Sequence, residues 1–423
     1  MFLHIKEKNN KKALTNMSDK NRSYKSLSKE LQQRIQEDRA NHVVNPYACK
    51  DEDIIRRDPT HDKANIWRPA FVRDVEKIMH IPYYSRYMDK TQVFSLYHND
   101  DITRRAQHVQ LVARIARNIG SVLNLNTDLI EAAALGHDIG HTPFGHPGEH
   151  KLSELYYANT GRYFNHNIQS ARVLDVIFPL NLSLQTLDGV ICHNGEMECK
   201  NYKPKHYEDF AEFDAKMEGC YLDKKAIKKL VPSTLEACVV RVSDIIAYLG
   251  KDRQDAKRLG IYDDSDAFSG GAIGKTNAEI INNMTVNIIE NSYGKDHLEM
   301  DDAYYEAFSL AKKENYQRIY QKPEVEKVYA QCICPMIEKM YEYLLKEAKS
   351  LSKDTIVYRH HVSYIEEMTA PYRRGQAYRD IPADELVVDY IASMTDDYFV
   401  ELFCYLFPDS TLKVEYIGYF DEE

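Results

Sequence analysis

Residues 127 to 150 read TDLIEAAALGHDIGHTPFGHPGEH, and this stretch changes character halfway along. Ile130, Ala134 and His137 recur at intervals of three and four residues. This spacing predicts a helix that begins near Thr127 or Asp128 and turns His137 inward. Gly and Pro then separate a run of titratable side chains, namely His137, Asp138, His141, His146, Glu149 and His150. Because such residues are also ordinary in turns, the rest of the sequence must decide whether this one has a function.

Composition places the chain among globular proteins. It has 423 residues, of which 43% are hydrophobic and 28% charged, which is enough for one large or two medium domains with a sizeable core. The net charge of −10 argues against nonspecific nucleic-acid binding. The Lys-rich beginning resembles neither a signal peptide nor a membrane anchor, and the eight cysteines form no CxxC pair. We therefore expect a cytoplasmic protein with reduced thiols and no membrane partner.

Helical spacing dominates the chain, and strand-like alternation is scarce, so we predict an all-α fold. Directly before GGAIGKT (270–276), Ser269 stands where a phosphate-binding loop needs its first glycine, so this segment is interpreted as a connection. A helix is expected within residues 26–40, after Ser26 or Ser28. The predicted organisation is a polar N-terminal arm (1–44), a helical core (45–262), a Gly-rich connection (263–276) and additional C-terminal helices (277–423).

Two further inward faces carry polar residues. His108 lies on the apolar side of a helix within residues 100–123, where a histidine is more often a hydrogen-bonded core residue than a ligand. A third helix follows Pro232 and a capping box predicted for Ser233 and Glu236, and Asp244 lies in its apolar stripe.

A carboxylate in such a stripe is costly to bury without a cation, and Asp138 at a helix C-terminus needs one as well. His108, His137, Asp138 and Asp244 together suit one divalent ion: Mn, Fe, Co, Ni or Zn, or Mg with more water.

This set of residues resembles the HD superfamily of metal-dependent phosphohydrolases, which are α-helical. The turn above, together with KTQVF (90–94), NDDITRRAQH (99–108), SDIIAYLGKD (243–252) and DYIASMTD (389–396), resembles the dGTPase-type deoxynucleoside triphosphate triphosphohydrolases. The resemblance implies hydrolysis of a dNTP to deoxynucleoside and triphosphate with one divalent metal ion, Mn or Mg being favoured in an assay. It also implies a homo-oligomer and, for some members, a nucleotide activator.

The resemblance also implies roles for individual residues. The metal ligands would be His108, His137, Asp138 and Asp244. The catalytic residues would be His146 and Glu149, with His141 and His166 lining the same pocket. The substrate contacts would be Arg105 for phosphate, Lys90 and Gln92 for the nucleotide pocket, and Tyr248 and Asp252 for deoxyribose. Three glycines, Gly140, Gly145 and Gly148, would let the backbone bend close to the substrate.

Two alternatives stay open at this point. One is another HD phosphohydrolase that acts on a nucleoside monophosphate, a cyclic nucleotide or an alarmone. The other is a nucleotide-binding regulatory protein without turnover. The charged stretch 196–230 matches no family motif and is interpreted as a solvated insertion, and His193 is left outside the predicted site. The preferred base is not assigned.

Overall fold

The computed structural model describes residues 23–193, 199–261, 268–321, 323–350 and 352–418, without the side chains of 323–325. Parts of the predicted arm, connection and C-terminal region lie outside these ranges. The prediction of an all-α fold is confirmed, since two-residue strands, Asn201–Tyr202 and Leu298–Glu299, make the one antiparallel pair of strands within the described ranges. In the same ranges no helix is long and apolar enough to cross a membrane.

The α-helices are numbered in chain order. Their bounds are α1 Lys29–Ala40, α2 Ala70–His80, α3 Pro82–Ser85, α4 Arg105–Val122, α5 Thr127–Gly136, α6 Gly145–Thr160, α7 His166–Arg172, α8 Leu184–Ile191, α9 Phe210–Leu222, α10 Leu235–Arg258, α11 Asn277–Ser292, α12 Asp302–Asn315, α13 Pro323–Val328, α14 Cys334–Ser350, α15 Ser363–Thr369, α16 Ala383–Ser393 and α17 Asp396–Leu406. Short 3-10 segments are Asp51–Asp53, Arg86–Asp89, Ala226–Lys229, Gly271–Ile273 and Tyr378–Asp380, and π segments are Val173–Ile177, Tyr316–Tyr320, Tyr329–Ile333 and Tyr358–Val362.

Capping side chains set the beginnings of several helices. The helix expected after Ser28 is present as α1, and the Ser28 hydroxyl accepts a hydrogen bond from the amide of Leu31. The capping box predicted for α10 is wrong, because Thr234 caps this helix. Glu236 instead turns into the protein and accepts hydrogen bonds from the amides of Cys49 and Asn126 at 2.9 and 3.0 Å. Tertiary contacts have thus taken the carboxylate away from its own helix.

One hydrophobic core runs through both halves of the chain. Helix α4 packs against α5 and α10, while α5 also packs against α2 and α8. From the C-terminal half, α14 packs on α6 and α16, and its buried side chains join the same core. Gly189 permits the close approach of α8 to α5, since a Cβ there would lie 2.8 Å from that of Ala133. The packing of α4, α5 and α10 brings the inward faces of the three helices together.

Part of the charged stretch 196–230 forms α9 rather than a loose surface segment. Phe213 and Cys220 of α9 are buried in the core, and Lys216 donates a 2.9 Å hydrogen bond to the buried carboxylate of Asp188 on α8. This helix therefore packs on the core, although its outer face is solvated as expected. The predicted domain boundaries stay predictions.

Glu236 makes stability depend on pH. Burial raises its pKa from 4.5 to about 7, so the folded state holds a proton that the unfolded state loses above pH 4.5. Stability contributed by this group is full below pH 4.5 and is lost as pH rises toward 7. Glu236→Gln keeps an oxygen acceptor but cannot ionise. We expect it to raise the free energy of unfolding by about 2 kcal/mol at pH 8 and to change it little at pH 4.5.

Urea denaturation of both proteins at the two pH values measures this difference. Glu212→Gln, which alters an exposed side chain of α9, serves as the control. Equal stabilities of the Glu236→Gln variant and the wild type at pH 8 would contradict the prediction.

Candidate metal centre and active site

The facing helices α4, α5 and α10 bring His108, His137 and Asp244 to one point. One ligand atom from each lies within 4.8 Å of the others. The Nε2 atom of His108 lies 3.0 Å from Oδ1 of Asp244, and Nε2 of His137 lies 3.9 Å from the same oxygen. All three residues are buried, so their charges and lone pairs must be satisfied at this point.

His137 is oriented as a metal ligand would be. Its Nδ1 lies 2.7 Å from the carbonyl oxygen of Ala134 and donates to it, which directs Nε2 toward His108 and Asp244. Burial lowers the pKa of His137, so the ring is neutral and Nε2 carries a lone pair. This buried atom has no hydrogen-bond partner among the described residues. An orphaned imidazole nitrogen beside carboxylate oxygens fits a divalent ion with nitrogen and oxygen ligands.

Asp138 joins this group from the residue after His137. One of its carboxylate oxygens lies 3.7 Å from Nε2 of His137 and accepts a short hydrogen bond from Arg105. Burial raises the pKa of Asp138, but the guanidinium of Arg105 more than offsets it and holds the pKa well below its usual range. Asp138 is therefore ionised, as a ligand must be.

Arg105 is itself fixed by the segment that follows Lys90. It donates to the carbonyl oxygens of Thr91 and Gln92 at 3.1 and 3.4 Å, and it is 2% exposed. The guanidinium thus lies between the metal ligands and the nucleotide-pocket segment predicted from the sequence.

The turn after α5 has an unusual backbone. Phe144 and Gly145 both have φ of +61°, in the left-handed region that residues with a side chain rarely adopt. Gly140 and Gly148 meet the protein's own backbone, and the substrate approach predicted for them stays a prediction. A Cβ at Gly140 would collide with the backbone of Gln169 and Ser170, and one at Gly148 would collide with the Pro143 carbonyl. Close approach of the protein's own backbone explains both.

A second cluster consists of His141, His146, Glu149 and His166, and we call it the proton-transfer cluster after the role that the family resemblance implies for it. The Glu149 carboxylate lies 3.1 Å from Nδ1 of His146 and 2.9 Å from Nδ1 of His166, and it accepts the His166 amide at 2.8 Å. Burial raises the pKa of Glu149, but the two histidines hold it well below its usual range. Burial lowers the pKa of His166, but the nearby Glu149 carboxylate more than offsets this effect and raises the pKa of His166 to about 9.

His193 adjoins this cluster, although its sequence context was not sufficient to include it in the predicted site. Its Nδ1 lies 2.6 Å from the Val190 carbonyl, and its Nε2 lies 3.2 Å from Nε2 of His166. Burial lowers the pKa of His193 to about 3, so the neutral ring accepts a hydrogen bond from His166. The one available signal was the polar run that begins at Cys192 directly after a buried helix. Glu149, His166 and His193 therefore form a hydrogen-bonded chain along the site.

Both clusters face a cavity of about 470 Å³. Of the predicted residues, those that line it are Gln92, Arg105, His108, Asp138, His141, His146, His166, Asp244, Tyr248 and Asp252. His137 and Glu149 reach it through these neighbours. Lys90, which we predicted to line the nucleotide pocket, does not line the cavity. Its ammonium group donates to the carbonyl oxygens of His141 and Ala392 and thereby connects the turn to the end of α16.

The other end of the cavity is aromatic and comes largely from the C-terminal half. Tyr316, Tyr320, Tyr329 and Lys312 line it beside Tyr248. The Tyr320 hydroxyl donates a 2.6 Å hydrogen bond to Asp252, and burial raises the pKa of Asp252 to about 7. Helical periodicity marks such tyrosines as core, so the sequence alone did not identify them.

Two sequence families match this chain. The HD domain matches residues 105–249, and the phosphohydrolase-associated domain matches residues 298–404. The first region contains α4, α5 and most of α10, which carry the metal-ligand candidates, and the second supplies part of the aromatic end.

Curated relatives agree with this match. The deoxyguanosinetriphosphate triphosphohydrolase-like protein of Caldanaerobacter subterraneus subsp. tengcongensis is 31% identical over 366 residues, covering 84% of this chain and 90% of the relative. A protein of the same name from Desulfatibacillum aliphaticivorans is 31% identical over 369 residues, covering 85% and 93%. The chain therefore belongs to the deoxyguanosinetriphosphate triphosphohydrolase-like family of HD-domain phosphohydrolases.

Proposed function

We propose that this protein hydrolyses deoxynucleoside triphosphates to deoxynucleoside and inorganic triphosphate. Water would attack the α-phosphorus, the bond from phosphorus to the 5′ oxygen would break, and that oxygen would take up a proton. The observation that carries the proposal is that the metal-ligand candidates and the proton-transfer cluster face one cavity whose other end is aromatic. The names of the relatives support the same reaction. We further propose a role in dNTP pool control in the cytoplasm, as a homo-oligomer with a nucleotide activator.

His108, His137, Asp138 and Asp244 are the proposed ligands of one divalent ion. When bound, the ion supplies Lewis-acid stabilisation of charge at the α-phosphate. The chain itself prepares this site in the absence of the ion: Asp244 pairs with His108, and Arg105 pairs with Asp138. These pairings keep the carboxylates ionised in a buried place. Burial opposes the charged form of His108, but Asp244 raises its pKa, so His108 would lose a proton when an ion binds.

His146 and Glu149 are proposed to transfer the proton. Glu149 accepts from Nδ1 of His146, which leaves Nε2 of that ring as the atom that can protonate the leaving 5′ oxygen. The side chain of His146 is 66% exposed at the cavity, whereas that of Glu149 is 14% exposed. The exposed ring can therefore meet the substrate while the buried carboxylate orients it. His166, held charged by Glu149, adds positive charge next to the phosphate path.

The substrate contacts are proposed on position in the cavity. Arg105 has its guanidinium beside the metal-ligand candidates, where the phosphates would lie, and Gln92 lies on the adjoining wall. Tyr248 and Asp252 are one and two turns beyond Asp244 on α10, which is a suitable distance for the sugar. Asp252 would accept the 3′-hydroxyl hydrogen bond, and a close fit against Tyr248 would exclude a 2′-hydroxyl.

The first test is the product pattern. We expect purified protein with Mn²⁺ or Mg²⁺ to convert at least one dNTP to deoxynucleoside and triphosphate, and to convert the matching NTP much more slowly. Chromatography of nucleoside, monophosphate and diphosphate products measures this outcome. Monophosphate as the product would favour another HD hydrolase. Tight nucleotide binding without any product, with all four dNTPs mixed to supply an activator, would favour a regulatory binder.

Removing one metal ligand tests the metal assignment without relying on turnover. We expect His137→Ala to weaken binding of Mn²⁺ at least about 100-fold, because losing a ligand exceeds the effect of losing an outer partner. Isothermal titration and the metal content of the purified protein measure this, and dNTP hydrolysis is expected to fall in parallel. His150→Ala is the matched control, since His150 is exposed and pairs only with Glu154 among the interactions in the described ranges. Wild-type Mn²⁺ affinity in His137→Ala would refute the ligand set.

Glu149→Gln tests proton transfer. The amide keeps the size of the side chain but cannot hold His146 and His166 through a negative charge. We expect kcat to fall about 10²-fold to 10⁴-fold, with KM changed less than about threefold. Steady-state kinetics on the best dNTP measure both constants. Glu154→Gln, one and a half turns further along α6 and exposed, should behave as wild type. A Glu149→Gln variant with a raised KM and a wild-type kcat would instead indicate a role of Glu149 in substrate binding.

A further inference from the structure

The motif DYIASMTD contains two aspartates that lie in the C-terminal half and yet bind elements of the site. Asp389 accepts hydrogen bonds from Gln169 and Arg172 of α7, the helix that begins at His166. Asp396 is the first residue of α17 and is 4% exposed. A carboxylate at the first position of a helix is favourable because of the helix dipole. That position does not explain the burial of the Asp396 carboxylate, which must therefore be explained by its hydrogen-bond partners.

Asp396 joins the two segments on either side of the cavity. Its Oδ1 accepts the amide of Phe144 at 2.9 Å, and its Oδ2 accepts the amide of Thr91 at 3.3 Å together with a short hydrogen bond from the Thr91 hydroxyl. Thr91 precedes Gln92, and the carbonyl oxygens of both receive Arg105. Phe144 precedes Gly145 and His146. One buried carboxylate therefore connects the segment of Thr91 and Gln92, which holds Arg105, to the turn that precedes His146.

Phe144 is the residue for which this connection matters most. Its φ of +61° is unfavourable for a side-chain-bearing residue and persists only where the surroundings fix it. The Phe144 ring is fully buried and meets the ring of Phe399 edge to face, with centroids 5.4 Å apart. Because Phe399 and Asp396 both belong to α17, this helix holds the ring and the amide of the same residue. Without the carboxylate, the amide of Phe144 would be buried and unpaired.

We infer that Asp396 is a positioning residue for hydrolysis, which fixes the left-handed turn at Phe144 and Gly145 and thereby the place of His146. The inference rests on the proposed function for its kinetic consequence only. Asp396 contacts neither the metal-ligand candidates nor the proton-transfer cluster among its hydrogen bonds in the described ranges. Its removal therefore takes away no group that is proposed to touch substrate or metal, and it acts through the backbone of the two segments that Asp396 joins.

Two substitutions of Asp396 remove its hydrogen-bond acceptors to different extents. Asp396→Ala removes both acceptors. Asp396→Asn keeps an oxygen for the Phe144 amide but turns a donor toward Thr91, so it also keeps the protein closer to the wild-type fold. Asp397→Asn is the matched control, because Asp397 is the next residue of α17 and is exposed. Thr91→Val and Thr91→Ser separate the hydroxyl contact, which serine retains.

Kinetics and hydrogen–deuterium exchange are the two measurements. In Asp396→Ala we expect kcat to fall about 10-fold to 100-fold while KM changes less than about threefold, because misplacement of a catalytic group affects the chemical step. We expect peptides that contain Phe144 to His146 to exchange at least about tenfold faster, with peptides of α11 unchanged. Asp396→Asn should lie between Asp396→Ala and the wild type, Thr91→Val should follow the same direction, and Asp397→Asn and Thr91→Ser should match the wild type.

Several results overturn the inference. They are wild-type exchange across Phe144 to His146 in Asp396→Ala, wild-type kcat in that variant, or a uniform increase in exchange that includes α11, which would mean a role in global stability alone. If wild-type protein hydrolyses no dNTP, the proposed function fails on its own. The exchange of Phe144 to His146 then still decides whether Asp396 holds the turn.

Discussion

The central constraint in this protein is the burial of ionised groups among three packed helices. Asp138 and Asp244 lie in the interior with His108 and His137, where an uncompensated carboxylate would be strongly unfavourable. The chain compensates each one locally, through Arg105 for Asp138 and His108 for Asp244. Only Nε2 of His137 is left unsatisfied among the ligand candidates in the described ranges. The carboxylates are thus compensated well enough for the chain to fold, while the lone pair of His137 Nε2 stays available. A cation-binding site requires both conditions.

The surroundings of this centre explain why the chain needs its C-terminal half. Asp396 and Phe399 of α17 contact Phe144 in the turn before His146. Lys90 donates hydrogen bonds to the carbonyl oxygens of His141 and Ala392. The contacts of Phe144 with α17 and of Lys90 with Ala392 are buried and join residues more than 200 positions apart. The phosphohydrolase-associated region therefore contacts the site through the backbone of the turn before His146 as well as through the tyrosines that line the cavity. Buried side chains of both matched domains belong to one core.

Periodicity placed His108, His137 and Asp244 inside, because a polar residue on an apolar helix face has to lie there, and Asp138 was added from its place at a helix C-terminus. It identified α5 and its inward His137 for the same reason. It did not identify His193 or Tyr320, whose places depend on how distant helices pack. The capping-box pattern assigned Glu236 to its own helix terminus, and the family resemblance assigned Lys90 to the nucleotide pocket, whereas buried amides and carbonyls elsewhere bind these two side chains. Local sequence patterns locate a side chain on a helix, but only tertiary packing selects its partner.

The contrast between His166 and His193 shows how one carboxylate organises the site. The two rings are in hydrogen-bond contact, and burial lowers the pKa of each, so desolvation alone would make both neutral. Glu149 touches only His166 of this pair and raises its pKa to about 9, while the pKa of His193 falls to about 3. The charged ring must then donate to the neutral one, which fixes the direction of the hydrogen bond and the tautomer of His193. A single glutamate thus places positive charge at the cavity on His166, while burial keeps the neighbouring imidazole of His193 neutral.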